Sequence, residues 1–345
     1  MIKRPSECEH SDEAFCRAML PKVSRTFAAC IGLLPPGLEF EVLIAYLLCR
    51  IADTAEDTET LSPETKRELL QHIAHQVSTA GTDASPLAAT FAEPRNDDEL
   101  LTRDADRVFR AYAALDATRR EAIRPWVVEM CDGMADFALA HPGAAPGTVD
   151  ALDDLSDLDR YCYYVAGTVG HLLTDLFALH HHRVTPRHVA RMKKLATSFG
   201  LGLQLTNIIK DVADDRSRGW SFVPRRLCEA LGTSPEHFLD SSDTPAAESV
   251  MATLIDKAQA HLDDARDYCL ALPRSQYRIR IFCLTPLFFA VRTLALARRD
   301  PRLLDPNHKV KITRPEVKQT IRDTFLVAPN NALVRQYYRR LCALR

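Results

Sequence analysis

The stretch that decides the fold is VLIAYLLCRIADTAED, at residues 42–57. It contains neither Gly nor Pro, and its apolar side chains fall on every side of a helix, which predicts a buried helix. Tyr46, Arg50, Asp53 and Asp57 lie within roughly 60° of one another at about 100° per residue. One face of a buried helix therefore carries a phenol, a guanidinium and two carboxylates.

A second stretch, QLTNIIKDVADD at residues 204–215, repeats this pattern. Gln204, Asn207, Asp211 and Asp215 fall within roughly 80° of one another on a helix whose other positions are mostly apolar. In both stretches two aspartates lie four residues apart, where like charges repel. Buried charges must be paired or bound to a metal. We therefore expect a counter-charge at each pair.

Magnesium fits these ligands better than a transition metal does. Mg²⁺ takes oxygen ligands, keeps waters and is usually completed by substrate phosphates. The leading hypothesis is a metal-bridged diphosphate between two aspartate helices. Basic residues nearby in sequence would assist, namely Arg25, Arg50, Lys210, Arg216 and Arg218. The alternative is a polar seam between core helices, closed by its own Arg and Lys partners.

Composition bounds the class of protein. The chain has 345 residues, is 46% hydrophobic and 26% charged, and has a net charge of −2, so no basic field invites nucleic acid. Its ten cysteines contain no C-x-x-C pair, which predicts reduced thiols in the cytosol. The polar, acidic start is no signal peptide. No apolar run reaches the roughly 18 residues of a membrane span, since Pro286 and Arg292 interrupt the segment Phe282–Ala297.

Helical periodicity runs through the whole chain, and alternating strand patterns are hard to find. We predict one all-α domain over residues 1–345, with a polar N-terminal tail at 1–15. The predicted helices cover about 11–21, 24–33, 38–58, 63–80, 98–115, 118–141, 157–182, 187–216, 224–231, 247–271, 276–299, 314–323 and 330–343.

Three further segments suggest a binding site. The segment YCYYVAGTVG, Tyr161–Gly170, has small residues that indicate close approach by another helix or a ligand, or simple core packing. The bulky segment Phe282–Phe289 would line a long pocket or be core. The basic segment Lys309–Arg314 would hold a phosphate or be solvated. The terminal segment Tyr337–Arg345 favours an ordinary helix over a membrane contact.

Four motifs in order resemble the squalene/phytoene synthase family. They are Val23–Phe27, Y-x-x-x-R-x-x-D-x-x-x-D at Tyr46–Asp57, Y-C-x-x-V-A-G-x-V-G at Tyr161–Gly170, and Q-x-x-N-x-x-x-D-x-x-x-D at Gln204–Asp215. The resemblance runs from about residue 21 to residue 322. It implies a single all-α isoprenoid-synthase bundle around a central cavity, in which two prenyl diphosphates join head to head through a cyclopropyl diphosphate.

The resemblance also implies roles for residues. Asp53, Asp57, Asp211 and Asp215, with Asn207, would hold Mg²⁺. Substrate diphosphate would be bound by Arg25, Arg50, Asn207 and Arg218. Tyr46, Tyr161, Gln204 and Phe282 would lie near the reacting carbons.

Several segments are closer to squalene synthases than to phytoene synthases, among them Phe282-Cys283 with Pro286. This implies condensation of two farnesyl diphosphates followed by NADPH-dependent reduction to squalene. By the same resemblance, the nucleotide would be bound by Ser24, Arg25, Lys311 and Arg314. No G-x-G-x-x-G is present, so no Rossmann domain would bind it. The alternatives are a dehydrosqualene, phytoene or presqualene diphosphate synthase without the reductive step, or a non-catalytic helical protein derived from the family.

Two departures from the family pattern stand out. Many relatives carry R-G-R where this chain has Arg218-Gly219-Trp220, so a basic side chain is missing or is replaced by Arg216. The C-terminal membrane anchor of eukaryotic squalene synthases is also absent. We therefore expect a monomeric, cytoplasmic, bacterial-type enzyme with at most peripheral contact at the inner face of the membrane.

Overall fold

Helices account for nearly all of the described structure. The computed structural model describes residues 11–143, 148–180, 183–240 and 244–344, and it gives the side chains of Arg25 and Thr26 no description. Contacts between Cα atoms divide these residues into two compact units. The first unit takes the residues up to 140 together with 171–180, and the second takes the remainder. The predicted all-α class is confirmed.

The first unit is built from helices that alternate with short turns. Their bounds are α1 Asp12–Val23, α2 Arg25–Ile31, α3 Leu38–Asp57, α4 Pro63–Thr79, α5 Ser85–Thr90, α6 Asp97–Arg103, α7 Ala105–Ala113 and α8 Ala117–Ala140. Helix α3 packs against α8, α4 and α7, and its apolar side chains from Val42 to Ala55 are buried. The helix that carries the first aspartate pair is therefore the central helix of this unit, as its all-round apolar sequence predicts.

The second unit adds two very short strands to its helices. The helices are α9 Leu155–Cys162, α10 Thr168–His180, α11 Pro186–Ser217, α12 Arg225–Ala230, α13 Thr244–Ala271, α14 Tyr277–Ala297, α15 Arg314–Val327 and α16 Asn331–Ala343; from His171 onward, α10 belongs to the first unit. Strands β1 Asp150–Ala151 and β2 Trp220–Ser221 pair in parallel, with Asp150 opposite Trp220. This pair fastens the chain that follows the second aspartate cluster.

Local sequence sets the helix ends. The Ser62 hydroxyl oxygen accepts from the Thr65 amide at the start of α4, and Thr313 and Glu316 form a reciprocal capping box at α15. Gly37 has a φ of 88°, which only glycine adopts readily, and it turns the chain from Pro35-Pro36 into α3. The deciding helix therefore begins where the sequence places its breakers.

A crossing of small residues fixes α11 in the second unit. A Cβ atom on Gly200 would lie 2.2 Å from the carbonyl oxygen of Ala166, and one on Gly170 would lie 2.1 Å from that of Ala196. Residues Tyr163–Gly167 form a π-helical turn between α9 and α10 at this crossing. The close approach predicted for Tyr161–Gly170 is thus an approach of helix backbones.

Helix α14 contradicts one sequence expectation. It is long and apolar enough to cross a membrane, since its most apolar stretch of 18 residues has a mean hydropathy of 1.7. However, 89% of that stretch is buried inside the protein. Arg280 within it is fully buried and donates to the carbonyl oxygens of Leu272 and Ala328 and to Asn331 Oδ1 at 2.7–2.8 Å. The burial is typical of a core helix in a folded domain.

Other predicted bounds need small corrections. The predicted helix 98–115 is broken at Asp104, whose φ of −96° and ψ of 27° are not helical. The predicted loop 80–97 contains α5, and the predicted polar tail overlaps the start of α1 at Asp12. Of that tail, residues 1–10 lie outside the described residues.

Candidate active site

The polar face of α3 forms as its spacing predicts. The guanidinium of Arg50 donates from Nη2 to the Tyr46 hydroxyl at 3.1 Å, and its Nη1 lies 3.8 Å from Asp53 Oδ2. Phe27 packs on the Tyr46 ring, with centroids 5.6 Å apart. The structure therefore brings Tyr46, Arg50 and Asp53 together in the first unit.

The carboxylates at the end of α3 repel one another. Burial raises the pKa of Asp53 to about 7; Arg50 lowers this value, whereas Asp57 and Asp98 raise it. Burial, followed by the charges of Asp57 and Asp53, also raises the pKa of Glu56 well above its usual value. Three carboxyl groups within little more than one helical turn therefore have too little positive charge near them. Such a set can accept either protons or a divalent cation.

A polar cleft of about 300 Å³ lies beside this face. Its lining includes Arg50, Thr54 and Asp57 from α3 and Arg95, Asn96 and Asp98 at the start of α6. Asp98, from the first turn of α6, lies 3.9 Å from Arg50 Nε. The first aspartate cluster thus opens onto a space lined by hydrogen-bonding groups.

The first motif of the chain lies in the same unit. The Ser24 hydroxyl oxygen accepts from the Phe27 amide at 3.2 Å and caps α2. Arg25 is the first residue of that helix, and its side chain lies outside the described part of the structure. Ser24 therefore has a local structural role besides the nucleotide contact predicted for it.

The second aspartate pair lies near the end of α11. Asp215 is buried and Asn207 is exposed, with Gln204 and Asp211 between these extremes. Burial raises the pKa of Asp215 to about 6, while Arg218 lowers it and Asp211 and Asp214 raise it. This cluster also carries more negative charge than its surroundings neutralise.

Basic side chains contact the second cluster directly. Lys210 contacts Asp211, Arg218 contacts Asp215, and Lys309 contacts Asp214. The ammonium group of Lys309 holds the pKa of Asp214 below its usual value. These contacts fit the predicted polar seam as well as a phosphate site, but the raised pKa of Asp215 shows that its ion pair does not offset burial.

Arg216 does not replace the missing basic residue near the second cluster. Its guanidinium donates to the carbonyl oxygens of Pro235 and Glu236 at 2.9 and 2.8 Å. Trp220, which takes the place of the second arginine of R-G-R, packs edge-on against His141 and Phe222. The chain after the cluster is therefore held by backbone and aromatic contacts.

The remaining predicted residues lie in the second unit. Tyr161 is buried and stacks on Phe222, with centroids 4.7 Å apart. Phe282 is buried in α14. Lys311 and Arg314 are exposed, close in sequence to Lys309 at the second cluster.

The donor chemistry of both clusters suits magnesium. Within the described ranges, no group of three or more His, Cys, Asp or Glu side chains is arranged as a metal site. The clusters supply two or three oxygen donors on one helical turn each. Mg²⁺ is usually held by one or two carboxylates together with waters and substrate phosphates, so partial sets of this kind fit it.

The sequence model of squalene/phytoene synthases matches residues 20–316, which include every motif described above. The chain belongs to the squalene/phytoene synthase family.

Members of this family from fungi share about 30% of their residues with the chain. Squalene synthase ERG9 of Candida albicans is 32% identical over 86% of this chain and 64% of its own length. The squalene synthase of Schizosaccharomyces pombe is 30% identical over 86% of this chain and 62% of its own. The chain thus spans a little under two thirds of the length of these curated relatives.

Solved structures of the family share the fold. The complex of TcSQS with the ligand BPH1237 is 27% identical, has a TM-score of 0.80, and covers 97% of this chain and 92% of that one. A dehydrosqualene synthase is 19% identical, with a TM-score of 0.62 over 91% of this chain and 95% of its own. The predicted isoprenoid-synthase fold is therefore confirmed.

Sequence reasoning missed three groups near the predicted site. Glu56 could have been found, because it lies three residues after Asp53 on the same helix. Asp98 could not, because an acidic residue in the first turn of a helix is ordinary dipole compensation. Phe222 gave no pattern of its own, since its stacking on Tyr161 depends on the pairing of β1 with β2.

Proposed function

We propose that this protein joins two farnesyl diphosphates head to head and then reduces the product to squalene. In the first step, C1 of one substrate loses its diphosphate, the double bond of the other attacks C1, and a proton leaves as the cyclopropane ring of presqualene diphosphate closes. In the second step, the remaining diphosphate leaves and the carbon skeleton rearranges and is reduced. The observation that carries the proposal is the pair of carboxylate clusters with raised pKa values at Asp53 and Asp215.

The metal would be held by side-chain oxygens of the two clusters. Asp53 and Asp57, with Glu56, and Asp211 and Asp215, with Asn207, would supply the ligands. Bound Mg²⁺ would act as a Lewis acid that neutralises the departing diphosphate. The raised pKa of Asp53 supports this role, because a group that binds protons for want of positive charge gains most from a cation.

The diphosphate also needs hydrogen-bond donors. We assign this role to Arg25, Arg50 and Arg218 with Asn207. Among the described residues, the Arg50 guanidinium donates one hydrogen bond, to the Tyr46 hydroxyl, and approaches two carboxylates only at 3.8 and 3.9 Å. Its remaining N–H groups suit the paired oxygens of a phosphate.

The carbocation needs surroundings that exclude water. Tyr46, Tyr161, Gln204 and Phe282 are assigned to the reacting carbons, and aromatic faces attract positive charge. The burial of Tyr161 and Phe282 supports this assignment, because buried side chains exclude the water that would quench a cation.

For the reductive step we propose a nucleotide site at Ser24, Arg25, Lys311 and Arg314. Bound NADPH would supply the hydride. The exposed cations Lys311 and Arg314 have the chemistry that a nucleotide phosphate requires. The contact of Lys309 with Asp214 supports the proposal, since it holds this basic segment at the second cluster.

We also propose that the chain acts as a single catalytic domain, as a monomer in the cytoplasm. Tyr337 and Tyr338 are buried, so these aromatic side chains are not available to a membrane surface. Arg339 and Arg340 are exposed and suit a peripheral contact with anionic lipid.

Purified protein with farnesyl diphosphate and Mg²⁺, with and without NADPH, tests the function directly. We expect squalene by mass spectrometry only when NADPH is present. Accumulation of presqualene diphosphate or dehydrosqualene in both assays would refute the reductive step and retain the condensation. Asp53→Asn and Asp211→Asn should each lower kcat by about 100-fold or more. Full activity in either variant would refute the metal role of that cluster.

A further inference from the structure

The Arg50 guanidinium is held in an unusual way. Among the described residues, its one hydrogen bond goes to the Tyr46 hydroxyl at 3.1 Å, while the nearest carboxylate oxygens of Asp53 and Asp98 lie 3.8 and 3.9 Å away. Buried arginines ordinarily form short, paired hydrogen bonds with a carboxylate. Here two carboxylates lie near the cation, and neither comes within hydrogen-bonding distance.

The atoms between Arg50 and Asp98 are buried and unsatisfied. In the part of the chain that is described, neither Arg50 Nε nor Asp98 Oδ1 has a hydrogen-bond partner. Both atoms belong to residues that line the 300 Å³ cleft. Buried polar atoms are nearly always paired, so a facing pair of unpaired ones calls for an explanation.

The backbone at Asp98 is held by contacts of the neighbouring residues. Asn96 Oδ1 accepts from the Glu99 amide at 2.8 Å and starts α6. Glu99 is buried, and Arg95 donates to both of its carboxylate oxygens at 2.6–3.2 Å. The residues on both sides of Asp98 thus fix the backbone that carries its carboxylate, 3.9 Å from the guanidinium.

We propose that Asp98 is a positioning residue that orients Arg50 toward the substrate diphosphate without using the donors that the diphosphate needs. A carboxylate paired to Arg50 by two hydrogen bonds would compete with phosphate for the same N–H groups. At 3.9 Å the charge of Asp98 restrains the guanidinium and leaves those groups available. This inference rests on the proposed role of Arg50.

Because Asp98 is negatively charged, the proposal and its alternative predict opposite changes in diphosphate affinity when Asp98 is replaced. If Asp98 were only one more negative charge beside the site, its removal would reduce repulsion and strengthen diphosphate binding. If Asp98 positions Arg50, its removal weakens binding. Asp97 is a matched control, because it lies in the same first turn, is exposed, and contributes the same charge to the helix end.

The experiment is calorimetry of inorganic diphosphate with Mg²⁺ on the full chain. We expect Asp98→Asn to weaken binding about tenfold and Asp97→Asn to change it less than about twofold. Asp98→Glu, which keeps the charge, should restore binding to near the wild-type value. Tighter binding by Asp98→Asn, or equal effects of the two Asn variants, would overturn the proposal.

A double-mutant cycle shows whether Asp98 acts through Arg50. In an Arg50→Gln background, Asp98→Asn should cause no further loss of diphosphate binding, whereas an undiminished loss would overturn the proposal. Circular dichroism of each variant verifies that it is folded. The proposed function is tested separately. If the wild-type protein forms squalene but Asp98→Asn does not change diphosphate binding, only the positioning role is refuted. A coupled Asp98–Arg50 effect without turnover of farnesyl diphosphate removes only the proposed reaction.

Discussion

Glu56 changes the chemistry of the first cluster at the scale of single residues. The D-x-x-x-D spacing predicts two carboxylates, and the structure adds Glu56, whose pKa is raised by burial and by the charges of Asp57 and Asp53. Lys66 lowers the pKa of Glu56, but it contributes less than burial and the two aspartates do. A third ligand of this kind increases the charge attracting Mg²⁺ and lowers the number of waters that the ion must keep.

Glu56→Gln should therefore weaken magnesium binding. We expect the Mg²⁺ concentration for half-maximal activity to rise by about tenfold, because one of three charged ligands becomes neutral. The fold should be retained, since glutamine has the same volume. The measurement is a magnesium titration of farnesyl diphosphate turnover.

Glu68→Gln is the control for Glu56→Gln. Glu68 is an exposed residue of α4 and also loses one negative charge. Its titration should match that of wild type. If the two variants shift equally, net charge rather than ligation explains the effect, and Glu56 is not a ligand.

At the scale of elements, α11 crosses the π-helical turn and the start of α10 with backbone against backbone. The backbone of Gly200 lies against Ala166, and that of Gly170 lies against Ala196. No side chain fits at either position unless the helices separate. The helix that carries the second aspartate pair can therefore take its position in this unit only because residues 170 and 200 are glycines and have no Cβ atom.

Gly200→Ala should destabilise the protein although alanine favours helices. The gain in helix propensity is about 1 kcal/mol, while overpacking costs about 1–3 kcal/mol and more where backbone must move. We expect a net loss of at least about 1 kcal/mol in the free energy of unfolding, measured by urea titration. Gly32→Ala is the control, because a Cβ there meets only ordinary contacts at 3.4 Å or more. A stabilised Gly200→Ala would contradict the crossing.

The contact between α1 and α7 should depend on pH. The Asp12 carboxylate accepts from Arg110 Nε at 2.9 Å and Arg107 Nε at 3.2 Å, and these hydrogen bonds, Arg110 first, hold the pKa of Asp12 below its usual value of 3.8. A carboxyl group whose pKa is lowered on folding adds stability above its unfolded pKa. It loses that contribution as the pH falls through the folded value.

Asp12→Asn should therefore cost about 1 kcal/mol at pH 7 and progressively less as the pH falls below about 3.8. Urea unfolding at pH 7, 4 and 3 measures the difference from wild type. Asp106→Asn, which removes an exposed pair with Arg110 inside one helix, should cost less than about 0.5 kcal/mol. A pH-independent loss for Asp12→Asn would exclude the charge as its cause.

Most of the helices could be predicted from sequence, because each of these has an apolar stripe and a breaker near its end, whereas the short α5 was predicted as loop. Helix α11 begins at Pro186 and ends at Ser217, within one residue of the predicted 187–216. The break at Asp104 could not be predicted, because neither Gly nor Pro marks it, and the pairing of β1 with β2 could not, because it joins distant segments. Contacts between distant segments also limited the prediction of the site. The residues of α3 could be predicted to lie on one face, whereas Asp98, which lies on α6, could not be predicted beside them.

At the scale of the whole molecule, burial of the cysteines reports on the integrity of both units. Nine cysteines in the described ranges are free, and all except Cys342 are buried. Burial raises the pKa of Cys16, Cys49 and Cys228 to about 12. The thiolate is the reactive form, so these side chains are protected by position and by protonation alike.

We therefore expect the native protein to react with iodoacetamide at pH 8 in a graded way. Among the nine described cysteines, Cys342 should be modified first, and the other eight should react only as fast as the protein opens. Peptide mass spectrometry over time gives the rate for each site.

In a Cys342→Ser variant the fast site should vanish while the other rates stay unchanged. After denaturation without reductant all nine should react at once, because none is held in a disulfide. Rapid modification of Cys49 in the native state would show that the helix carrying the first aspartate cluster is not buried as described. Slow modification of Cys49 together with fast modification of Cys228 would show that the first unit remains closed while the second opens, since α3 belongs to one and α12 to the other.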